Sequence, residues 1–77
     1  MADAVMRFHG RLVPGSFAAF ARHRAARLGL ELLALEADAG TARAHLAGPA
    51  ALLDAFEMAC SLGPLDCVIL ETAREAA

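Results

Sequence analysis

The sequence contains no lysine, asparagine, glutamine, tryptophan or tyrosine, and only two cysteines. Its seven basic residues are therefore all arginine, and nine acidic residues outnumber them, for a net charge of −2. Nucleic-acid-binding domains usually carry a strongly basic surface, so we expect no nucleic-acid partner. Cys60 and Cys67 lie in apolar surroundings at a spacing that matches no zinc or redox motif, and we expect them to be buried free thiols.

Long apolar runs are also missing. No stretch is long enough to span a bilayer, and the first residues lack a charged start followed by an apolar segment. We therefore expect no membrane partner, no signal peptide and a cytoplasmic location. No set of side chains has the spacing of a metal site, and we predict neither a metal nor a cofactor.

What the sequence has in abundance is alanine, at twenty of 77 positions, and its bias towards alanine and arginine is typical of a GC-rich, bacterial-type composition. The length allows one domain over residues 1–77, with its core at about residues 4–72. A chain of this size buries only about 60% of its unfolded surface. We therefore expect modest stability unless a partner adds to it.

Residues 4–12 alternate between apolar and polar types, which indicates a half-buried strand with Met6 on its buried face. The pair Pro14-Gly15 interrupts the strand. Ser16 is then the expected N-cap of a helix over residues 17–28, with Gly29 at its C-terminal end.

The remaining elements are predicted from the same two signals, apolar periodicity and turn residues. They are, in order, strands over residues 31–37 and 41–47, a helix between Gly48-Pro49 and Gly63-Pro64, a strand over residues 67–73, and a frayed tail over residues 74–77. The order is therefore βαββαβ. Right-handed crossovers turn this order into a ferredoxin-like α+β sandwich, a four-stranded antiparallel sheet with two helices on one face.

The spacing of glycine, proline and aromatic residues from about Met6 to Thr72 resembles the acylphosphatase family, with no gap. The matching positions are Gly10-Arg11, Phe17, Phe20, Leu28-Gly29-Leu30, Gly40, Gly48-Pro49, Leu53, Ala55-Phe56 and Gly63-Pro64. The resemblance implies the same ferredoxin-like fold and the hydrolysis of acyl phosphates without a metal. In that family, N–H groups of a loop and one arginine bind the phosphate, and one asparagine positions the attacking water.

The residues that would perform this reaction are absent. The resemblance places the phosphate-binding loop on Leu12, Val13, Pro14, Gly15, Ser16, Phe17 and Ala18. The family's arginine falls on Ala18 and its asparagine on Glu36, whose carboxylate would repel a phosphate. Pro14 also lacks a backbone N–H. We therefore predict a degenerate anion loop, no catalytic residues, and a non-catalytic domain that binds a protein or a ligand.

Two alternative functions stay open. ACT domains, which sense small molecules and usually bind amino acids at a paired interface, have the same order of elements. Their first loop also carries a Pro-Gly pair before a helix, and the segment VPGSFAAF is similar to that pattern. The other alternative is a residual or atypical acylphosphatase.

The predicted sheet leaves one face uncovered, here called the helix-free face. By strand alternation its central residues are Arg7, His9, Arg43 and His45. The outer strands are apolar on both sides, which predicts that Leu33, Leu35, Val68 and Leu70 join this face. Such apolar residues favour cover by a protein partner or a second copy of the chain. A solvated polar face, an anion or metal site, and a pH-sensitive contact are the alternatives.

Two further groups have simpler interpretations. Arg22, His23, Arg24 and Arg27 form a basic patch on the first helix, where cations suit the negative end of the helix dipole. Met6 and Met58 are expected to fill the core.

Overall fold

The computed structural model describes residues 2–75, which form four strands and two helices in the predicted βαββαβ order. The elements are β1 (Ala2–Arg11), α1 (Pro14–Leu28), β2 (Glu31–Ala37), β3 (Thr41–Gly48), α2 (Ala50–Leu62) and β4 (Val68–Glu75). The last two residues of the expected tail, Ala76 and Ala77, lie outside the described residues.

The strands form one antiparallel sheet in the order β2-β3-β1-β4. Each crossover places a strand two positions away from the one before the helix, so β1 and β3 occupy the centre. The ferredoxin-like α+β arrangement is confirmed. Both α1 and α2 pack on the same side of the sheet, which is called the helix-covered face from here on.

The core lies between the helix-covered face and the two helices. Its strand residues point alternately inwards and include Ala4, Met6, Phe8, Ala42, Ala44 and Leu46, all buried. The rings of Phe8 and Phe17 meet with their centroids 5.4 Å apart. The expectation for Met58 is wrong, because its side chain is 69% exposed on α2.

Helix α1 begins two residues before the predicted N-cap. Val13 is the N-cap residue, and no side chain caps this end. Pro14 suits the first helical position because its fixed φ is already helical and its missing N–H would have no partner there. The prediction for Ser16 is therefore wrong. Gly29 ends the helix as predicted, with a φ of 72° that glycine adopts without strain.

A β-bulge corrects the orientation predicted for β2. The register with β3 shifts between Leu32 and Ala34, so Leu33 is an extra residue. One extra residue reverses the alternation of everything after it. Leu35 consequently pairs with Ala44 and packs against the core, whereas the prediction placed Leu35 on the helix-free face.

The final strand is longer than predicted, because Arg74 attaches its end to α2. The Arg74 Nε lies 2.6 Å from Glu57 Oε1, and an Arg74 NH2 nitrogen lies 2.8 Å from Asp54 Oδ1. The hydrogen bond to Glu57 raises the pKa of Arg74 above its ordinary value. Arg74 and Glu75 are therefore part of β4 rather than of a frayed tail.

Candidate functional site

The junction between β1 and α1 consists of Leu12 and Val13 alone. The N–H of Leu12 donates a hydrogen bond to the carbonyl of Ala39 at 2.9 Å. The N–H of Val13 donates to the Sγ of Cys67 at 3.4 Å. The junction's own N–H donors therefore already have partners within the chain. The rest of the predicted anion loop is helical: Pro14, Gly15, Ser16, Phe17 and Ala18 form the start of α1.

A carboxylate of the chain itself contacts the start of α1. The Ser16 hydroxyl donates to Asp66 Oδ1 at 2.8 Å, and the Cys67 Sγ lies 3.7 Å from the same oxygen. Helix N-termini favour negative groups, and Asp66 supplies one. Sequence reasoning missed Asp66 because it is 50 positions from Ser16 and belongs to no local motif.

Ala18 and Glu36 lie on opposite sides of the sheet. Ala18 belongs to α1, which packs on the helix-covered face. Glu36 pairs in register with Arg43, and its side chain is exposed on the helix-free face. The two positions onto which the resemblance places the family's arginine and asparagine therefore lie on different elements, α1 and β2.

An ion-pair network occupies the centre of the helix-free face. Arg7 and Arg43 are register partners on β1 and β3, and Glu75 of β4 contacts both. Glu75 forms an ion pair with Arg7, and its Oε1 lies 3.4 Å from the Arg43 Nε. The arginine side chains are 41% and 42% exposed, so each pair contributes only about 0–1 kcal/mol to stability. Sequence reasoning missed Glu75 because the tail was expected to be frayed.

The two histidines of this face differ in their contacts, because the buried Nε2 of His45 has no hydrogen-bond partner among the described residues. His9 Nδ1 lies 3.3 Å from the Thr41 hydroxyl, and His45 Nε2 lies 3.6 Å from Asp3 Oδ2. Within residues 2–75 no three His, Cys, Asp or Glu side chains are grouped so that they could hold a metal ion.

The exposed apolar residues of this face lie at its two edges. Leu33 is 47% exposed on the edge strand β2. Val68 and Leu70 are 52% and 76% exposed on the opposite edge strand β4, where Leu70 is the extra residue of a second bulge. Of the four apolar residues predicted for this face, Leu35 alone turns towards the core.

The β2–β3 hairpin is closed by Asp38. Its Oδ1 accepts hydrogen bonds from the N–H groups of Gly40 and Thr41, both at 2.8 Å. Both bonds lower the pKa of the Asp38 carboxyl below its ordinary value, and the bond from Gly40 has the larger effect. The hairpin in turn presents the carbonyls of Ala39 and Gly40 to the N–H groups of Leu12 and Gly10. Asp38 therefore holds the hairpin closed, and the hairpin in turn binds the end of β1 and the first residue of the β1–α1 junction.

The sheet order and the placement of both helices define a ferredoxin-like α+β sandwich. Within that class the chain has an acylphosphatase-like fold. It superposes on the crystal structure of acylphosphatase from Bacillus subtilis with a TM-score of 0.87, over 97% of this chain and 83% of that chain, at 20% sequence identity. No protein-family model and no curated protein matches the sequence. Such an identity carries the fold alone, so function must be argued from the site.

Among the described residues, neither α1 nor α2 is both long and apolar enough to cross a bilayer.

Proposed function

We propose that the chain is a non-catalytic, acylphosphatase-like domain that serves as a protein-interaction module. The observation that carries this proposal is the state of the β1–α1 junction. The N–H groups of Leu12 and Val13 are bonded within the chain, and Asp66 lies at the start of α1. An anion-binding loop needs several free donors, and of this loop only the N–H groups of Gly15 and Ser16, beside Asp66, lie outside the hydrogen bonds of the junction and of α1.

Electrostatics supports the same conclusion. Two unit charges 4 Å apart repel by about 4 kcal/mol at an effective dielectric constant of about 20. A phosphate at the start of α1 would meet the charge of Asp66 with no arginine at position 18 to compensate. The chain also contains no asparagine to position a water molecule.

The helix-free face is the proposed contact surface. Its central arginines, Arg7 and Arg43, keep about two-fifths of their side chains exposed while they share Glu75. The carboxylates of Asp3, Glu36 and Glu75 lie on the same face as these arginines, so neither sign dominates. This arrangement suits a folded protein with a surface of mixed charge better than a uniformly anionic nucleic-acid backbone.

A hydrolysis assay with acetyl phosphate tests the non-catalytic part. The purified protein is expected to release phosphate no faster than buffer alone. An active acylphosphatase, assayed in parallel, is the positive control. Turnover by the wild type above that of buffer would overturn the proposal, and an increase in the Asp66→Asn variant would assign it to the start of α1. A melting temperature that rises in the presence of amino acids would instead favour a small-molecule sensor of the ACT type.

Affinity capture with matched variants tests the interaction surface. A partner bound by the wild type and by the Arg24→Glu variant, but lost by Arg43→Glu, supports the helix-free face. Arg24 is the matched control because it is an exposed arginine on α1, away from this face. Equal capture by both variants would reject this surface, and no specific capture by the wild type would reject the module.

A further inference from the structure

Each edge strand of the sheet contains one extra residue, and in both strands it is a leucine. In β2 the extra residue is Leu33, and in β4 it is Leu70. The central strands β1 and β3 pair with each other over eight positions without a bulge. Among residues 2–75, β2 and β4 are the two strands that pair on one side only. The bulges therefore coincide with the open edges of the sheet.

A glycine in β1 makes room for the bulge in β4. A Cβ atom at Gly10 would collide with the carbonyl oxygen of Val68, the first residue of β4. Ile69 pairs with Gly10, and Leu70 follows as the extra residue. Glycine, which has no Cβ, allows this close approach of the two backbones. The bulge is therefore built into the packing of β1 against β4.

The extra leucines interrupt strands whose alternation is otherwise regular. With Leu33 removed, Leu32 and Leu35 would still face the core. Leu70 interrupts β4 in the same way. Leu33 and Leu70 are 47% and 76% exposed, so neither contributes much to the core. Core packing therefore does not account for them.

The apolar parts of the two edges have few other features that prevent strand pairing. Edge strands of natural proteins usually carry lysine, proline or a bulge, because an open strand edge otherwise pairs with another chain. The sequence has no lysine, and its three prolines, Pro14, Pro49 and Pro64, lie outside the strands. Residues 32–35 and 68–70 are entirely apolar, and such segments favour edge-to-edge association. The bulge is the protective feature that each of these segments has.

We propose that the two bulges prevent the sheet edges from pairing with a second copy of this chain. A bulge leaves one residue outside the ladder and increases the local twist, so a regular strand does not fit along the edge. A partner must then contact a face of the domain rather than extend its sheet. The inference concerns the edges, whereas the proposed function concerns the helix-free face, so either can fail without the other.

Deletion of Leu70 or of Leu33 tests the proposal by sedimentation across a dilution series. Each deletion variant is expected to self-associate at concentrations roughly tenfold or more below any at which the wild type does, because its edge becomes a regular strand. The matched controls are Leu70→Ser and Leu33→Ser, which keep the bulge and remove the apolar side chain. These controls should sediment like the wild type.

Two results of this comparison would overturn the proposal. One is a folded deletion variant that sediments like the wild type at every concentration. The other is a serine variant that associates as readily as the deletion at the same edge, because the leucine side chain and not the bulge would then be the protective feature.

A lysine at the same edge distinguishes edge pairing from partial unfolding. Val68 is 52% exposed at the start of β4. Adding Val68→Lys to the Leu70 deletion should restore the sedimentation of the wild type, because an edge lysine hinders strand pairing. Circular dichroism and urea denaturation verify that each variant is folded. Association that persists with the lysine overturns the proposal, as do deletions that fail to fold at both edges, since the bulges would then be required for folding itself.

Discussion

The two faces of the sheet are built from alternate residues of the same strands. On the helix-covered face, Met6, Phe8 and Ala44 have no exposed surface and pack against the helices. On the helix-free face, the neighbouring residues Arg7 and Arg43 stay half exposed and share the carboxylate of Glu75. One residue along the chain therefore separates two quite different environments.

The side chains of the two faces differ in how much they contribute to the free energy of folding. A large apolar side chain contributes about 1.5–3 kcal/mol when it is fully buried. A half-exposed ion pair contributes about 0–1 kcal/mol. The helix-covered face therefore determines the fold, and the helix-free face is available for contacts with other molecules. The following experiments test this contrast in decreasing order of expected effect.

The largest effect is expected from two adjacent substitutions in β1. Phe8→Ala should lower the free energy of unfolding by about 3–5 kcal/mol, because it leaves a cavity against Phe17. His9→Ala, one residue further on, should cost about 1 kcal/mol or less, since it removes only the contact with Thr41. Urea denaturation measures both values. Similar losses at the two positions would contradict the contrast between the faces.

A second pair tests the bulge in β2. Leu35→Asp should lower the free energy of unfolding by about 2 kcal/mol, because it places a carboxylate against the core. Leu33→Asp should change it by about 0.5 kcal/mol or less, since that side chain is already half exposed. Thermal denaturation of both variants gives the comparison. A larger loss from Leu33→Asp than from Leu35→Asp would mean that β2 alternates without a bulge.

A smaller effect per unit of pH is expected from Cys60, which faces the core from α2. Burial raises the pKa of this thiol from 9.0 to about 12. Above pH 9 the unfolded chain loses this proton while the folded chain keeps it. Stability should therefore be complete below pH 9 and fall by about 1.4 kcal/mol per pH unit as the pH rises towards 12.

Denaturation at a series of alkaline pH values measures this dependence. A Cys60→Ala variant, although less stable near neutral pH, should lose the part of the slope that comes from this thiol. Equal slopes in the two proteins would show that Cys60 does not cause the alkaline loss.

No gain of activity is expected from restoring the family's side chains. The double variant Ala18→Arg, Glu36→Asn should hydrolyse acetyl phosphate no faster than the wild type, because the carboxylate of Asp66 still lies at the start of α1. The matched comparison is a triple variant that adds Asp66→Asn to these two changes and so removes the carboxylate at the start of α1. Turnover in the double variant would mean that the β1–α1 junction can still hold a phosphate.

Much of the fold could be predicted because its signals are local. Alternation in β1 and β3 indicated which residues are buried, as Met6 and Ala44 confirm. Gly29 marked the end of α1, since a left-handed residue at that point favours glycine. The apolar surroundings of Cys60 and Cys67 indicated free, buried thiols, and both are so in the structure.

The candidate site could be predicted only in part. The resemblance located the β1–α1 junction and the absence of arginine at position 18. It did not indicate Asp66, because the contact of Asp66 with Ser16 joins residues that are 50 positions apart in the sequence. Leu35 was placed on the wrong face because a bulge in an edge strand has no distinct sequence signal. Arg74 and Glu75 were assigned to a tail because their stabilising partners lie on other elements.

The sequence by itself determined the order of the elements, the inward-facing residues of the central strands and the presence of alanine at position 18 and glutamate at position 36. These features follow from residue type and from periodicity along the chain. The tertiary structure alone decided the orientation of β2 after its bulge, the donors used at the β1–α1 junction and the contacts of Glu75 with Arg7 and Arg43. They depend on contacts between segments distant in sequence, which form only when the chain is folded.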